Sequence, residues 1–565
     1  MQANTFATSL AGRHIRMWAA CSAASILLVA CIVLFPLPVF AQSTITVTTT
    51  ADELTPDGDC SLREAIESAN HDMRVDACTA GTGADTIIVP AGVYTISLAG
   101  GGEDNNRTGD YDLIGSVQIE GAGADRSRIA AAKLDRVFHV QGDAVVTLTG
   151  LRIGGGSTPY TEAGGAILNS GELTINQSVV EGSTTGGGQY CVPGDPCINK
   201  AGPGGGIANL KTLTLTGSIV QGNVTGTDTD PQSVICPSAP GGGIYNRGEL
   251  RIIQSEIRAN QSGEGGGIYN FGQTVIVSAT IAGNSSTSPD RCGFPYGRAP
   301  DGGPGGGIAN ANGTVELYSS AVISNFTASG GLGNRAPGGD GGWGGGIVNN
   351  GLLLASNSTV AQNRTGDSGD AIGIDLFGGR IGGDGGNGGG LYNTGVIVLN
   401  NVTIAANSAG NRGYGSDGDG GDGLGSGIYN RGELSLRNTL VSGNRWLQGT
   451  AADCVGSVVV SLGYNVSSSP NCINTGTVGD RLTLAPQVGP LGDFGGPTYT
   501  VALLKSSIAV DGGDCLDSDK KPVTVDQRGV VRPQGPRCDV GAYEFTAADP
   551  LVYMYLPDVK ANFKP

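Results

Sequence analysis

The sequence is poor in the side chains that most often bind nucleic acid or carry out chemistry. It has 3 histidines, 15% charged residues and 5% aromatic residues, and its formal net charge is −17. Because binding to phosphates requires clustered lysine and arginine, the sequence predicts no nucleic-acid partner and no attraction to an anionic membrane surface. It also lacks a C-x-x-C spacing, which argues against a structural zinc site.

Glycine is the residue present in excess, with 99 positions out of 565. These glycines do not follow the strict Gly-X-Y period of collagen. The apolar residues are mainly isoleucine, valine, leucine and alanine, and they alternate with threonine, serine and asparagine. Such alternation is typical of β-strands, so the sequence predicts an all-β protein.

The N-terminus has the pattern of an export signal. Arg13 and Arg16 precede an uncharged apolar run that ends in "PLPVFAQ", which predicts a signal peptide cleaved after Ala41. The run is also long enough to span a bilayer, so an uncleaved anchor stays open as the alternative. The predicted location is extracellular or at the cell surface, associated with the outer membrane, with membrane contact only through this segment.

Ten of the twelve cysteines follow this segment, and an even number in an exported chain predicts disulfides. Neighbours in sequence form the natural pairs, and the last pair is left by elimination. The predicted pairs are Cys60–Cys78, Cys191–Cys197, Cys454–Cys472, Cys515–Cys538 and Cys236–Cys292.

A repeat organises the centre of the chain. "GGAILN" at Gly164 returns in related forms up to "GSGIYN" at Gly425, and the shortest spacing is the 24 residues from Gly241 to Gly265. Within each unit, apolar residues alternate by two in short runs separated by breaks, which indicates about three short strands and turns. A unit of this length cannot bury its own apolar side, but stacked units can.

The repeat therefore predicts a parallel β-helix, a solenoid of stacked coils. Asparagines that share parity with the inward isoleucines should stack at one corner and bond one another. This predicted ladder consists of Asn209, Asn246, Asn270, Asn310, Asn349, Asn393 and Asn430. A second row is predicted at Asn223, Asn260, Asn284, Asn325, Asn363, Asn407 and Asn444.

Long insertions all fall just before the glycine triplets, so they should project from one edge of the solenoid. Insertions confined to one face of a repeat protein often mark its binding face. The alternative is that loops lengthen there because nothing prevents it.

Two motifs carry a family resemblance. "CSLREAIESAN" at Cys60–Asn70 resembles the signature of exported bacterial CSLREA-motif proteins, and "DQRGVVRPQGPRCDVGAYEF" belongs to a C-terminal stretch similar to the choice-of-anchor Q module. The repeats are similar to those of polymorphic outer-membrane proteins, although the phenylalanine expected before the final asparagine is missing. The resemblance implies a single-stranded, right-handed parallel β-helix of the pectate-lyase type, exported to the cell surface, and it brings no catalytic residues. The implied segments are a signal peptide (1–41), an N-terminal cap (42–100), β-helix repeats (101–450), a C-terminal module (451–547) and a tail (548–565).

Catalysis has little support in the sequence. Glycoside hydrolysis needs two juxtaposed carboxylates, and no ladder of acidic residues recurs on the coil faces. Asp110 and Asp112 in "GDYDL" could pair on one strand face, but they are interpreted as turn residues. Neither His71 nor His139 is expected to lie near carboxylates within one coil. The prediction is a monomeric structural or adhesive protein, not an enzyme, that binds extracellular carbohydrate or a surface protein. The alternative is a polysaccharide lyase or glycoside hydrolase on the same scaffold.

No cofactor is required, but calcium is a candidate ligand. Glycine-rich stretches such as "SDGDGGDG" present oxygen-rich loops that suit a hard cation. The candidate ligands are Asp340, Asp384, Asp417, Asp419 and Asp422.

The CSLREA motif itself predicts a capping helix. Ser61 and Glu64 form a capping box, and Leu62 and Ile66 lie on one apolar face, while Arg63, Glu64 and Glu67 are assigned to the solvent side. A short helix tied down by a disulfide would cover the open apolar end of the solenoid.

Overall fold

The structure is a computed structural model that describes residues 42–186, 189–190, 198–199, 202–226, 239–288, 298–373, 380–445, 453–473 and 476–549. The predicted signal peptide and most of the predicted tail lie outside these residues. The described chain winds repeatedly through three long parallel sheets, here named sheets A, B and C. Each regular coil contributes one strand to sheet C, then one to sheet A, then one to sheet B. The predicted fold class, an all-β parallel β-helix, is confirmed.

The strand bounds follow in the order in which the strands stack. Sheet A consists of Thr44–Thr46, Asp85–Val89, Val117–Gly121, Val145–Thr149, Glu172–Asn176, Thr212–Thr216, Glu249–Ile253, Gln273–Val277, Thr314–Tyr318, Leu352–Ser356, Val396–Asn400, Glu433–Arg437 and Val459–Ser461. Sheet B consists of Gly92–Thr95, Ser127–Ala130, Arg152–Gly154, Val179–Glu181, Ile219–Gln221, Glu256–Arg258, Thr280–Ala282, Ala321–Ile323, Thr359–Ala361, Thr403–Ala405, Leu440–Ser442, Val466–Ser467 and Arg481–Leu482. Sheet C consists of Tyr111–Leu113, Phe138–Val140, Ile167–Asn169, Ile207–Asn209, Ile244–Asn246, Ile268–Asn270, Ile308–Asn310, Ile347–Asn349, Leu391–Asn393, Ile428–Asn430 and Cys454–Gly456.

Smaller elements lie outside these sheets. Helix α1 spans Leu62–Asn70, and a 3-10 helix spans Pro470–Cys472. The two-stranded pairs are Ser157–Tyr160 with Thr184–Gly186, Gln189–Tyr190 with Ile198–Asn199, Gln261–Ser262 with Ser285–Ser286, Gly333–Asn334 with Ala371–Ile372, and Val488–Gly492 with Thr500–Leu503. Within the described part of the chain, no helix is long and apolar enough to cross a membrane.

The core lies inside the coil and follows from the period of two in each strand. In Thr212–Thr216, Leu213 and Leu215 are fully buried while the threonines on either side are partly exposed. Parallel pairing places Leu213 beside Leu250 and Leu215 beside Ile252 in the next coil. Stacked in this way, the inward apolar residues form one continuous core along the solenoid.

Two asparagine ladders run through the interior at the predicted corners. In the first ladder, the Nδ2 of each asparagine donates to the Oδ1 of the next, from Asn169 to Asn430, at 2.7–2.9 Å. In the second ladder, from Asn223 to Asn444, the same bonds measure 2.8–3.0 Å. The second ladder ends on Asp453, whose Oδ1 accepts from Asn444. An acid suits this last place because the final member of the chain needs only to accept.

The first and third glycines of each triplet have different structural roles. Gly241 has a φ of 75°, which favours glycine over other residues at this corner. A Cβ on Gly243 would lie 2.6 Å from the Gly267 carbonyl oxygen and 2.9 Å from the Asn260 Nδ2. The first glycine of the triplet therefore supplies the turn, and the third makes room for the buried asparagine.

The C-terminal module lies along the outer face of sheet B, an arrangement that the sequence did not predict. In the uncovered strand Glu256–Arg258 both outward residues are exposed, whereas Thr359–Ala361 is buried throughout. Val501 of the module packs against Ala361 in one apolar cluster. Gln527 accepts a hydrogen bond from Thr359 Oγ1 at 2.6 Å. Along sheet B, the outward residues change from charged to small at the point where the C-terminal module begins to cover the sheet.

Three of the five predicted disulfides lie in the described residues. They are Cys60–Cys78, Cys454–Cys472 and Cys515–Cys538. The first joins the loops on either side of α1, and the other two lie in the C-terminal module. Cys191, Cys197, Cys236 and Cys292 fall outside the described residues, so their pairing stays a prediction.

Substituting Ala361→Arg is expected to displace the C-terminal module from sheet B. The side chain is fully buried under the module, so a charged and much larger group should cost about 2–5 kcal/mol. Hydrogen exchange at Val488–Leu503 measures the displacement as a loss of protection. Gln221→Arg is the matched control because Gln221 holds the same register position in a coil where the outward residue is only partly buried. Equal protection in both variants would contradict the covering role.

Candidate binding surface on the loop-bearing edge

Helix α1 closes the N-terminal end of the solenoid. Ser61 Oγ accepts from the Glu64 amide at 3.1 Å, and the Glu64 carboxylate accepts from the Ser61 amide at 2.9 Å, which forms a capping box. Leu62 and Ile66 are fully buried in the core. The helix contacts the first strands of sheets A and C, so it covers the terminal apolar layer where no further coil is stacked.

The assignment of Glu64 to the solvent side is wrong, since Glu64 is fully buried, and so is the assignment of Arg63. Its side chain is fully buried and forms an ion pair with Asp52, with Nε 2.7 Å from Oδ1. Its guanidinium also donates to the carbonyl oxygens of Gly109 and Asp110, at 2.8 and 3.2 Å, and lies over the Tyr111 ring. The segment that precedes the first strand of sheet C covers the face of α1 that carries Arg63. Arg63 connects this segment to the helix through its hydrogen bonds.

The interpretation as turn residues is wrong for Asp112, which lies in the first strand of sheet C, whereas Asp110 lies in the bend that precedes this strand. Both side chains are buried. His139 Nδ1 lies 3.4 Å from Asp112 Oδ1 and 3.1 Å from Asp104 Oδ1, so this histidine does sit among carboxylates. Arg136 lies 3.4 Å from Asp110. Adjacent coils bring these groups together although they are distant in sequence.

Burial dominates the electrostatics of this cluster. It raises the pKa of Asp110 to about 8, and the nearby Arg136 offsets only part of that shift. Burial lowers the pKa of His139, but the Asp112 hydrogen bond and the surrounding carboxylates outweigh it, so the pKa is raised. The side chains of Asp110 and Asp112 are 3% and 0% exposed. Carboxyls sealed in this way cannot flank a glycosidic bond, and the cluster joins the first coils of sheet C.

The predicted calcium ligands Asp340 and Asp384 bond main-chain amides of the next insertion. Asp340 Oδ1 accepts from the Asp384 amide at 2.7 Å, and Asp384 Oδ1 accepts from the Gly421 amide at 2.6 Å. Asp301 begins this row by accepting from the Asp340 amide. These carboxylates therefore hold successive glycine-rich insertions in register.

The other three predicted ligands have separate partners. The contacts are Asp417 with Arg380, Asp422 with Arg412, and Asp419 with the Gly415 amide. Among the described residues, the structure brings no three of the five aspartates close enough to share one ion. Calcium at these positions stays a prediction of the sequence.

Besides the strands of the three sheets, a further row of residues runs along the edge from which the insertions leave. We name it the edge row, and it pairs in parallel from one coil to the next. It consists of Thr184, Val224, Gln261, Ser285, Phe326, Arg364 and Ser408. Its seven members span roughly 29 Å at about 4.8 Å per coil.

Hydroxyl groups fix the bases of the insertions beside this row. Thr225 Oγ1 donates to the Ala239 carbonyl at 2.8 Å, Thr327 Oγ1 to the Gly342 carbonyl at 2.7 Å, and Thr365 Oγ1 to the Gly386 carbonyl at 2.7 Å. Since these threonines are buried, the two arms of each insertion are held together at the solenoid surface. The described bases of these insertions therefore lie in fixed positions along one side of the edge row.

Two cavities lie next to each other along the edge row. One, of about 550 Å³, is lined by residues that include Thr184, Gln261 and Thr287. The other, of about 460 Å³, is lined by residues that include Phe326 and Arg364. Ser329 lines both cavities, so they adjoin, and the pair is named here the edge groove. Phe326 is 48% exposed, which presents an aromatic surface among hydroxyl, amide and guanidinium groups.

Tyrosines line the outward face of sheet C on the other side of the insertions. The rings of Tyr245 and Tyr269 stack at 5.8 Å, and those of Tyr392 and Tyr429 stack at 5.3 Å. Small residues, including Ala309, separate the two stacks. The stacked rings cover part of each other's faces, so they offer less free aromatic surface than Phe326.

The sequence predicted the loop-bearing edge but not the groove. The spacing of the repeats located the insertions, whereas the edge row carries dissimilar residues, of which only serine occurs twice. The signal that could have found six of its members is their position, one residue after an asparagine of the second ladder; Thr184 instead follows Ser183. Asn325 followed by Phe326, and Asn363 followed by Arg364, are examples.

Comparison of the chain with protein-family models and with curated proteins gives no match. Among solved structures, the chain is similar to the pectate lyase Pel9A, with a TM-score of 0.39 and 13% sequence identity over 89% of this chain and 96% of that chain. A likeness this distant carries no conclusion about activity, and the assignment of strands to three parallel sheets rests on their own pairing.

Proposed function

We propose that this protein is an exported, cell-surface β-helix that binds an extended polysaccharide along the edge groove without cleaving it. The observation that carries the proposal is the groove itself, two adjoining cavities of about 550 and 460 Å³ on the loop-bearing edge. Cavities of this size are typical of ligand sites. The predicted signal peptide and the resemblance to CSLREA-motif proteins support a location outside the cell.

The chemistry of the groove suits sugars. Hydroxyls of Thr184, Thr287 and Ser329 and the amides of Gln261 and Gln362 can exchange hydrogen bonds with sugar hydroxyls. The half-exposed ring of Phe326 offers an apolar platform for one sugar face. The parallel register continues from coil to coil, so an elongated ligand fits better than a compact one.

Arg364 favours acidic polysaccharides among these ligands. Its side chain is 45% exposed in the groove, where it pairs with Asp367. A planar guanidinium can bind a sugar carboxylate through two parallel hydrogen bonds. The expected ligand class is a polymer that carries uronic acids.

Substituting Phe326→Ala is expected to weaken binding to an acidic polysaccharide by roughly tenfold, because one stacking surface is lost without loss of a core residue. Arg364→Ala is expected to weaken it by a similar factor, with a loss that shrinks at high salt. Binding to immobilised pectin and alginate, measured by surface plasmon resonance, gives both values.

Each variant has a matched control elsewhere on the solenoid. Phe271 is 46% exposed beside sheet C, and Arg251 is exposed on the outward face of sheet A. Phe271→Ala and Arg251→Ala should leave binding unchanged. If Phe271→Ala weakens binding and Phe326→Ala does not, the ligand lies on the tyrosine face and the edge groove is not the site.

A further inference from the structure

The polar cluster outside the first coils of sheet C contains a set of metal-binding atoms that the edge groove does not use. The Nδ1 of His139 and one carboxylate oxygen each of Asp104 and Asp112 lie within 4.8 Å of one another. Asp112 and His139 are register partners in adjacent strands, and Asp104 belongs to the loop that leads into the first of these strands. Two coils and one loop therefore supply one atom each.

The separations between these atoms match those of ligands around a single ion. His139 Nδ1 lies 3.1 Å from Asp104 Oδ1 and 3.4 Å from Asp112 Oδ1. Nitrogen and oxygen ligands bind a zinc ion at about 2.0–2.2 Å, which places neighbouring ligands roughly 3.0 Å apart in an octahedral site and roughly 3.4 Å apart in a tetrahedral one. A hydrogen on Nδ1 points well at only one of the two oxygens, whereas an ion between the three atoms contacts all of them.

Two neighbouring groups hold the carboxylates in this arrangement. Asp112 Oδ2 accepts from the Asn106 amide at 2.8 Å, and its Oδ1 is the atom that lies near His139. Gln141 Nε2 donates to Asp112 Oδ1 at 3.2 Å and to the Asp104 carbonyl oxygen at 2.9 Å, so one side chain joins both acidic residues. Metal ligands in proteins are typically oriented by hydrogen bonds of this kind.

The charge of the cluster favours a cation. It contains three carboxylates, those of Asp104, Asp110 and Asp112. The guanidinium beside them, that of Arg136, pairs with Asp110 and also with Glu162, so negative charge is in excess. The Asp104 side chain is 68% exposed, which gives an ion a path from solvent to the buried Asp112.

We infer that Asp104, Asp112 and His139 bind a divalent transition-metal ion, of which zinc fits the set best. Imidazole nitrogen is a typical zinc ligand, and carboxylate oxygen is another. Calcium and magnesium take oxygen ligands, so a nitrogen among three donors counts against both. The bound ion connects the loop that carries Asp104 to the first two strands of sheet C, next to the end of the solenoid that α1 closes.

Cobalt(II) titration of the full chain tests this inference, because cobalt binds the same ligand types as zinc and absorbs visible light. CoCl₂ should give a saturable absorption band that excess ZnCl₂ removes and the same excess of CaCl₂ does not. Isothermal titration with ZnCl₂ should show that Asp104→Asn weakens the zinc affinity at least about tenfold, since a charged ligand is lost. Asparagine at this exposed position still accepts a hydrogen bond from His139, so the variant keeps the fold and the contact. His139→Gln should remove the band.

His71 provides the matched control. Its Nδ1 lies 3.2 Å from the Glu67 carboxylate, but this pair has no third ligand among the described residues. His71→Gln should therefore keep both the cobalt band and the zinc affinity of the wild type. A wild-type chain that gives no saturable cobalt band would overturn the inference. So would an equal zinc affinity in Asp104→Asn and the wild type, which would indicate an adventitious ion only, or a band that is lost in His71→Gln and kept in His139→Gln.

Discussion

The substitution Arg63→Met is expected to lower the stability of the N-terminal cap by about 3–5 kcal/mol, because it leaves a buried charge without its partner. Asp52 is 7% exposed and its Oδ1 faces the Arg63 Nε at 2.7 Å. The carbonyl oxygens of Gly109 and Asp110 would also lose their donor. Methionine has a similar length, so the loss reports the charge and hydrogen bonds more than an empty volume.

Native-state hydrogen exchange measures this effect where it occurs. Amides of Leu62–Asn70 and Tyr111–Leu113 should lose protection together, because Arg63 connects the helix to the first strand of sheet C. Arg126→Met is the control, since Arg126 is exposed and a surface change of this kind is expected to stay within about 0.5 kcal/mol. Unchanged protection in Arg63→Met would show that the buried pair does not hold the cap.

The substitution Asn260→Ala is expected to cost a similar amount, about 3–5 kcal/mol, in the coils on either side of it. Asn260 Nδ2 donates to the Val220 carbonyl at 2.9 Å and to Asn284 Oδ1 at 3.0 Å. Its Oδ1 accepts from both the amide and the Nδ2 of Asn223 at 3.0 Å. Alanine would leave several of these buried groups unsatisfied, at about 1–3 kcal/mol each.

The end of the ladder supplies a sharper comparison. Asn260→Asp keeps the acceptor but removes the donor and places a charge in the core, so it should destabilise strongly. Asp453→Asn should have a small effect, because Asp453 only accepts and Ser468 beside it can reverse its hydroxyl. Asn350→Ala, at an exposed asparagine, is the control for loss of an amide. The hydrogen-exchange rates of the coil amides around each site report the loss of stability in all four variants. Equal losses in Asn260→Asp and Asp453→Asn would contradict the account of the ladder.

The regular coils could be predicted because their contacts are repeated at fixed spacing. Parity placed Asn246 inside the coil with Ile244, and the structure has both fully buried. The same inward isoleucines and leucines recur in successive units, so each coil repeats the constraint on the next. The alternation of residues within one coil and the stacking of successive coils predict the same inward positions, so the assignment made for one unit applies to the others.

The errors fall where one segment covers another. An amphipathic pattern places Arg63 on the wet face of an isolated helix, but a second segment packs on that face and buries it. Asp112 and His139 meet only because their strands are neighbours in sheet C. The position of the C-terminal module over sheet B was not predicted for the same reason. The only indication of it in the sequence is a small residue, Ala361, at an outward position that is charged in an uncovered coil. The edge groove likewise depends on side chains that different coils contribute.

The central claim is that the edge groove binds an acidic polysaccharide and does not cut it. In the most direct measurement, the purified protein is incubated with soluble pectin and alginate. Two quantities are followed, the amount of polymer retained by the protein and the release of unsaturated or reducing chain ends. The account predicts saturable retention that Phe326→Ala weakens and Phe271→Ala preserves, with no increase in chain ends over a boiled control. Release of new chain ends by the wild type, or retention that Phe326→Ala leaves unchanged, would contradict it.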